Sequence, residues 1–457
     1  LLAAGFSEKK GKGEGCGCRH IRFEIGAIPE EVARKMDIKL AYGKKGLEIN
    51  LPEEGLTIIE PEFVPGLSDE KKTFIHSLRH PIGSPSLKEL VKPKDSVAIV
   101  FSDITRPVPN RKIIPWLLEE LCEVSKDRVV LINATGMHRA NTIEELTDML
   151  GDEVVRNYRI INHNAQQKNT MLCLGKTRTG GEVWINSDYI RADVKILTGF
   201  IEPHFFAGFS GGPKSVLPGI SGEQTVMHNH GFNMLNNPKA NWGITYGNPV
   251  WEEIREVALM TRPTFIINVT MNKERKITGI FSGEMNLAHQ KGVEFTRKIA
   301  MRPVPHLFDL VITTNSGYPL DLNLYQTVKG MSAASQIVKK GGAIIAVSEC
   351  SDGIPEHGNY RRILQMGKNP EEILKIVESP GFSMFDQWEA QIQARIQTKA
   401  KVYLYSKLPE KDVLACHLEP IEDIEKTVAK IKKKFGGSLK IAVLPDGPMT
   451  IPYLSHN

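Results

Sequence analysis

The sequence predicts an α/β protein: two α/β domains with mainly parallel sheets and an active site in the cleft between them. Three observations carry that expectation. Short β-branched runs such as DSVAIVFSD (95–103) and RVVLINATG (128–136) alternate with segments of helical spacing, the signature of strand–helix–strand crossovers. The same alternation starts afresh near Arg302. The best strands also end in loops rich in reactive side chains, and open parallel sheets bind ligands outside those carboxyl ends.

Regular organisation begins at Met36 with MDIKLAYGKKGLEINLPE. Residues 1–35 hold GKGEGCGC and no clear period, and are expected to be a non-native or upstream extension. Strand 95–103 passes into the loop ITRPVPN, and RKIIPWLLEELCEV (111–124) has helical spacing. After strand 128–136, Thr142 and Glu145 fit a capping box that opens a helix. DVKILTGFIEPH (193–204) is a third strand and runs into a glycine-rich stretch; TFIINVTMN (264–272) and KITGIFSGE (276–284) are two more.

In the second unit FDLVITTNSG (308–317) reads as a strand, 324–340 as a helix and GGAIIAVSEC (341–350) as the next strand. Helices follow at about 370–378 and 384–396, then a strand at 401–406. The expected division is 36–300 for cofactor binding and catalysis and 301–439 for the second domain. A last strand within 440–457 is expected to be free to return to the first domain.

Composition narrows the function classes. A chain of 457 residues has room for two or three domains. Its formal charge of +5 is small and scattered, so nucleic acid is not implied, and KKK at 432–434 reads as a solvated helix end. No apolar run approaches the roughly 20 residues that cross a bilayer, which argues against a membrane partner. Six dispersed cysteines form neither a disulfide framework nor a paired CxxC zinc site, so a reducing cytoplasm is the plain expectation.

Polar residues cluster after the strands. The first loop offers Asp103, Thr105 and Arg106; the second Thr135, Gly136 and His138; the third His204 and then Lys214. The helix after the first strand of the second unit adds Tyr325, Gln326 and Lys329. Each residue alone has a plainer reading. Asp103 closes a turn, Arg106 is a surface cation, His138 caps a helix, His204 is a satisfied core histidine, and Tyr325 and Lys329 are helix-face packing. Convergence of four loops is the stronger signal.

The stretch EPHFFAGFSGGPKSVLPG (202–219) has the glycine density of a phosphate loop. It departs from a Walker motif because Pro213 stands where Gly must precede the lysine, and proline removes a backbone donor. A nucleoside monophosphate cradle remains open; an ATPase does not. The HNH at 228–230 is a metal candidate, although histidines at i and i+2 of a helix point apart. On residue type alone a solvent-facing or capping role is favoured for either.

Together these segments resemble the nickel-dependent lactate racemase family, from about Met36 to the C-terminus. The carriers are KLAYGKKGLEINLP, SDITRPVP, ATGMHR, GFIEPHFFAGFSGGPKSVLPGI, GNPVWEEI, LNLYQTVKGM and DQWEAQ. The resemblance implies a racemase or epimerase of a 2-hydroxy acid that moves hydride to and from a nickel-pincer nucleotide through a 2-oxo intermediate. That cofactor is a pyridinium-3,5-bisthiocarboxylic acid mononucleotide carrying nickel, and cofactor-synthesis enzymes are implied partners.

By motif position the resemblance makes Lys214 the covalent tether and His230 the protein's nickel ligand. It makes His138 and His204 the acid–base pair. Asp103, Thr135, Gly136, Gly211, Gly212 and Gln326 fall on the cofactor side, and Arg106, Tyr325, Lys329 and Trp388 on the substrate side. The residue types suit the chemistry. Two histidines can take the hydroxyl proton from either face, and Arg and Lys can hold the carboxylate.

Two departures bear on substrate. Pro213 stands where the family's pattern has Arg, and Phe205-Phe206 border His204. The alternatives are a pincer-cofactor homologue with a different isomerase or redox activity, and a non-catalytic cofactor-binding protein.

Overall fold

The computed structural model describes residues 34–356, 358–436 and 438–455. The expectation for 1–35 therefore lies outside the described residues, apart from 34 and 35.

Residues Val97–Phe101 are all buried, as a central parallel strand covered on both faces requires. They sit inside a six-stranded sheet. Its order is Ile277–Gly283, Phe265–Met271, Val194–Phe200, Val97–Ser102, Val129–Ala134 and Arg159–Asn162. All neighbours are parallel except the edge hairpin of Phe265–Met271 with Ile277–Gly283. The chain builds outward from Val97–Ser102 on one side and resumes at Val194–Phe200 on the other, so strand order reverses between these two. Ligands enter parallel sheets at such a switch point, and the loops after both strands carry Asp103 and His204.

The second sheet also has six strands, all parallel: Glu419–Ile421, Lys401–Tyr405, Val338–Val347, Phe308–Thr314, Ile441–Leu444 and Leu56–Ile58. Its order reverses between Phe308–Thr314 and Ile441–Leu444. The helix that follows Phe308–Thr314, Leu324–Ser335, carries Tyr325, Gln326 and Lys329.

One expectation is corrected here. The late strand Ile441–Leu444 pairs with Phe308–Thr314 and with Leu56–Ile58, so it does meet a segment of the expected 36–300 unit, but within the second sheet. The N-terminal hairpin of Lys35–Leu40 and Leu47–Pro52 goes the same way. It buries Ile38, Leu40, Ile49 and Leu51 against Leu310, Ile312 and Val443. Sequence order hides this, because pairing between ends of a chain leaves no local signal. The helix expected over 324–340 stops at Ser335 and a strand begins at Val338. Val338 is buried opposite Phe308, and Lys339 is tied to Asp309 at 2.6 Å. Tertiary pairing overrides helical spacing there.

One apolar cluster runs through both units, from Val100 and Leu197 to Val328 and Trp388. Each fully buried aliphatic side chain contributes about 1.5–3 kcal/mol. Among the described residues no helix is long and apolar enough to cross a membrane.

Candidate active site

The loop after Val97–Ser102 starts with Asp103, which is 3% exposed. Its Oδ1 accepts the Thr105 hydroxyl at 2.7 Å and its Oδ2 lies 2.9 Å from His138 Nδ1. Burial pushes the Asp103 pKa up, but the hydrogen bond and charge of His138, with Arg106, hold it below its ordinary value. Asp103 is therefore a carboxylate and can only accept, so His138 carries its proton on Nδ1. The His138 side chain is 40% exposed, and with Nδ1–H on Asp103 its neutral form has the lone pair on Nε2. The expected helix cap is Thr142 rather than His138: Thr142 Oγ1 accepts from Glu145 N at 3.2 Å, and Glu145 Oε2 accepts from Thr142 N at 2.9 Å.

His204 has a different setting. It is buried, and its Nδ1 accepts the Ala207 N–H at 3.2 Å. A neutral imidazole that accepts at Nδ1 has its proton on Nε2. Burial, then the charges of Lys214, Arg106 and Lys329, pushes the His204 pKa well below its ordinary value. Phe206 stands edge-on to His204 at 4.5 Å and to His230 at 4.9 Å, and Lys214 Nζ lies 5.7 Å from the same ring. This one side chain touches three of the residues singled out in the sequence.

Lys214 lies in the 3-10 turn Gly212–Ser215 that Pro213 opens. Burial, helped by the Arg106 charge and opposed by Glu202, brings its amine down to about 7. Gly211 and Gly212 before it take φ of 78° and 52°, in the left-handed region that suits glycine. A Cβ on Gly212 would come within 2.6 Å of His289, and one on Gly211 within 2.9 Å of Asn268. Asn268 Oδ1 accepts the Gly212 N–H at 2.7 Å, and His289 Nε2 meets the Ser210 carbonyl at 2.9 Å. The glycines thus make room for protein neighbours that clamp the loop.

The two histidines of HNH part company as helix geometry requires. His228 is half-exposed and turns to Thr179 and Glu253. His230 is 4% exposed, lies between Phe206 and Trp388, and has no hydrogen-bond partner on Nδ1. Burial and the Lys214 charge push it down to about 3, so it is a neutral ligand-type imidazole.

From the second unit, Trp388 sets its ring 5.3 Å from His230 and donates Nε1–H to Tyr325 Oη at 3.0 Å. Lys329 Nζ donates to Gln326 Oε1 at 2.6 Å. Burial and the Arg106 charge lower the Lys329 pKa, which Glu389 opposes. These contacts, with the charge of Arg106 felt by His204, Lys214 and Lys329, bring Arg106, His204, Lys214, His230, Tyr325, Gln326, Lys329 and Trp388 together. Thr135 and Gly136 are committed to the scaffold. The Thr135 hydroxyl donates to the His163 carbonyl, and Gly136 N–H to Gly219 O at 2.9 Å.

Several polar residues were not legible beforehand. Glu389 is 1% exposed with an unpartnered Oε1, faces Lys329 and Arg106, and is held above its ordinary pKa by burial. Its helix, Gln387–Lys399, also buries Gln387, Gln391 and Gln393. Such a polar run on a buried helix is the available signal, and DQWEAQ contains its start. Asn268 and His289 carried none, and Glu253 only its place in GNPVWEEI.

The chain is similar to known proteins along most of its length. The lactate racemase N-terminal domain model matches residues 42–243 and the C-terminal domain model residues 305–451. A lactate racemase of Lactiplantibacillus plantarum is 38% identical over 416 residues, covering 90% of this chain and 98% of that one. One of Thermoanaerobacterium thermosaccharolyticum is 36% identical over 426 residues, covering 91% and 99%. The structure of the latter organism's lactate racemase apoprotein superposes with a TM-score of 0.85 at 36% identity, covering 91% and 100%. A Thermotoga maritima protein at 19% identity and TM-score 0.66, covering 86% of this chain and 100% of that one, shares the fold.

Fold, cleft and relatives define a two-unit α/β isomerase of the racemase type. More narrowly, the chain belongs to the lactate racemase family.

Proposed function

We propose that this protein racemises or epimerises a 2-hydroxy acid with a nickel-pincer nucleotide held in the cleft, lactate being the first substrate to consider from the names of its relatives. The observation that carries the reading is the pairing of a near-neutral amine, Lys214, with the neutral imidazole of His230, whose Nδ1 has no hydrogen-bond partner, across the Phe206 ring. An amine brought down to about 7 is half unprotonated at neutral pH, so it could condense with a thiocarboxyl group to a thioamide, with water as the leaving group. A buried imidazole without a hydrogen-bond partner on Nδ1 suits nickel. The residues present therefore fit the cofactor: Lys214 would tether it and His230 would complete the nickel's ligands.

When bound, the cofactor would supply an electrophilic carbon able to accept hydride from C2 of the substrate and return it to either face. The chain does the rest. Arg106 grips the carboxylate through two hydrogen bonds and Lys329 adds a point charge. His138, steadied by Asp103, removes the hydroxyl proton on one side through its free Nε2. His204 serves the opposite enantiomer, and to take the hydroxyl proton at Nε2 it must give up the Ala207 N–H and carry its own proton on Nδ1 instead. Phe206 and Trp388 keep water from the reacting carbon. Tyr325 sets Trp388, and Gln326 sets Lys329. Asp103, Gly211 and Gly212 shape the cofactor side. A cofactor carrier would need neither the Asp103–His138 pair nor the cations. The described cysteines Cys122, Cys173, Cys350 and Cys416 are unpaired, which suits the cytoplasm.

Co-production with the cofactor-synthesis enzymes, followed by circular dichroism on a panel of chiral 2-hydroxy acids, tests the function. Loss of optical rotation with at least one acid, and none from the cofactor-free protein, is expected. Racemisation by cofactor-free protein would overturn the reading.

A further inference from the structure

The helix Pro249–Met260 and its cap Asn248 hold most of GNPVWEEI, a motif that no step of the chemistry uses. Glu253 on this helix is 3% exposed. Its Oε2 accepts from Asn229 Nδ2 at 2.9 Å. Its Oε1 accepts the Thr177 hydroxyl at 2.8 Å and the Thr179 hydroxyl, and lies 3.3 Å from His228 Nε2. The Thr179 oxygen in turn meets His228 Nε2 at 2.9 Å. Asn229 also donates to Val250 O at 3.1 Å, on the same helix as Glu253.

His228 and Asn229 are the two residues before His230, so both are tied to one carboxylate. His230 itself caps the helix Glu223–Asn229, with its N–H on Val226 O at 2.8 Å. The other side of the imidazole is fixed from the same place: Asn248 Nδ2 donates to Phe206 O at 2.8 Å, and Phe206 stands edge-on to His230 at 4.9 Å. A buried carboxylate is costly unless its donors are all in place. Here the hydrogen bonds outweigh burial and keep Glu253 ionised.

The geometry points to Glu253 as the positioning residue for the His230 imidazole, acting through Asn229 and His228 to aim it at the nickel. This rests on the reading of His230 as nickel ligand. An outer partner of a metal ligand typically changes metal affinity by about 10–100-fold when removed. Glu253 works one step further out, through the backbone turn, so the lower end applies.

The test uses the loaded protein and follows nickel per chain during a chelator challenge, with intact mass reporting the adduct on Lys214. Glu253→Gln keeps one acceptor oxygen and so the fold, but whichever way the amide turns it puts an N–H where the carboxylate accepted, against Asn229 on one side or the threonines and His228 on the other. It should lose nickel about tenfold faster than wild type, with the Lys214 adduct intact. Asn229→Ala cuts the tie and leaves the carboxylate its three other partners; it should shift the rate the same way. His230→Ala separates the two claims. If His230→Ala keeps nickel like wild type, the ligand reading fails and this proposal falls with it. If His230→Ala loses nickel while Glu253→Gln and Asn229→Ala hold it like wild type, the positioning role alone is overturned.

Discussion

Asp103 Oδ2 lies 2.9 Å from His138 Nδ1 and accepts its proton, and that contact separates the two histidines of the cleft. His138 is steadied by a carboxylate and offers a bare Nε2. His204 is steadied by a backbone N–H, sits among cations, and presents Nε2–H. The cleft is chemically lopsided although a racemase must serve two mirror-image substrates.

Asp103→Asn removes the acceptor that fixes the His138 tautomer. The equivalent change in a carboxylate-oriented histidine costs about 10⁴ in kcat, and general-base losses run about 10²–10⁴. A fall of at least about 10²-fold is expected here. Steady-state rates should show kcat/KM falling equally for both enantiomers, since the equilibrium constant of racemisation is unity.

The same constraint makes wild-type kcat/KM equal in the two directions, so the lopsided cleft must appear in kcat and KM separately. The direction in which His204 must gain the hydroxyl proton is expected to have the lower kcat and, in proportion, the lower KM. Initial rates from each pure enantiomer decide this, and matching kcat values would count against the assigned tautomers.

Lys214 gives the cofactor-free protein a pH signature. Its folded pKa of about 7 lies below the ordinary 10.5, so the unfolded chain binds more protons between these values and stability rises with pH across that window. Below pH 7 the cost of burying the ammonium is present in full. Comparing urea unfolding of wild type with Lys214→Met should show wild type gaining about 2 kcal/mol on the variant between pH 7 and 10, a value discounted for access to solvent. Tethering removes the amine, so the loaded protein should not show this gain.

Gly212→Ala forces a side chain onto φ of 52° and against His289. Strain of this kind costs about 1–3 kcal/mol. Urea midpoints should fall accordingly, and the yield of Lys214 adduct should fall with them, because His289 and Asn268 hold the loop that presents the amine.

The sequence made the parallel architecture and most of the cleft legible for a physical reason. Buried parallel strands are continuous β-branched runs, and their carboxyl ends must carry the ligand loops. The capping box at Thr142 and Glu145 was visible because it is purely local. Leu56–Ile58 joining Ile441–Leu444 was not, since almost the whole chain separates the partners. Glycines at 211 and 212 announced a special backbone, but that it accommodates Asn268 and His289 depends on residues more than fifty positions away. Glu253 and Glu389 look like ordinary helix-surface acids until packing buries them.

The central claim is that the hydrogen at C2 travels as hydride and never becomes a solvent proton. Racemisation of a single enantiomer of 2-deuterated lactate in ordinary water by the loaded protein tests it most directly, with mass spectrometry of the opposite enantiomer as it forms. The product is expected to keep its deuterium, and turnover to slow with the heavier isotope. Deuterium lost to water at the rate of racemisation would contradict it.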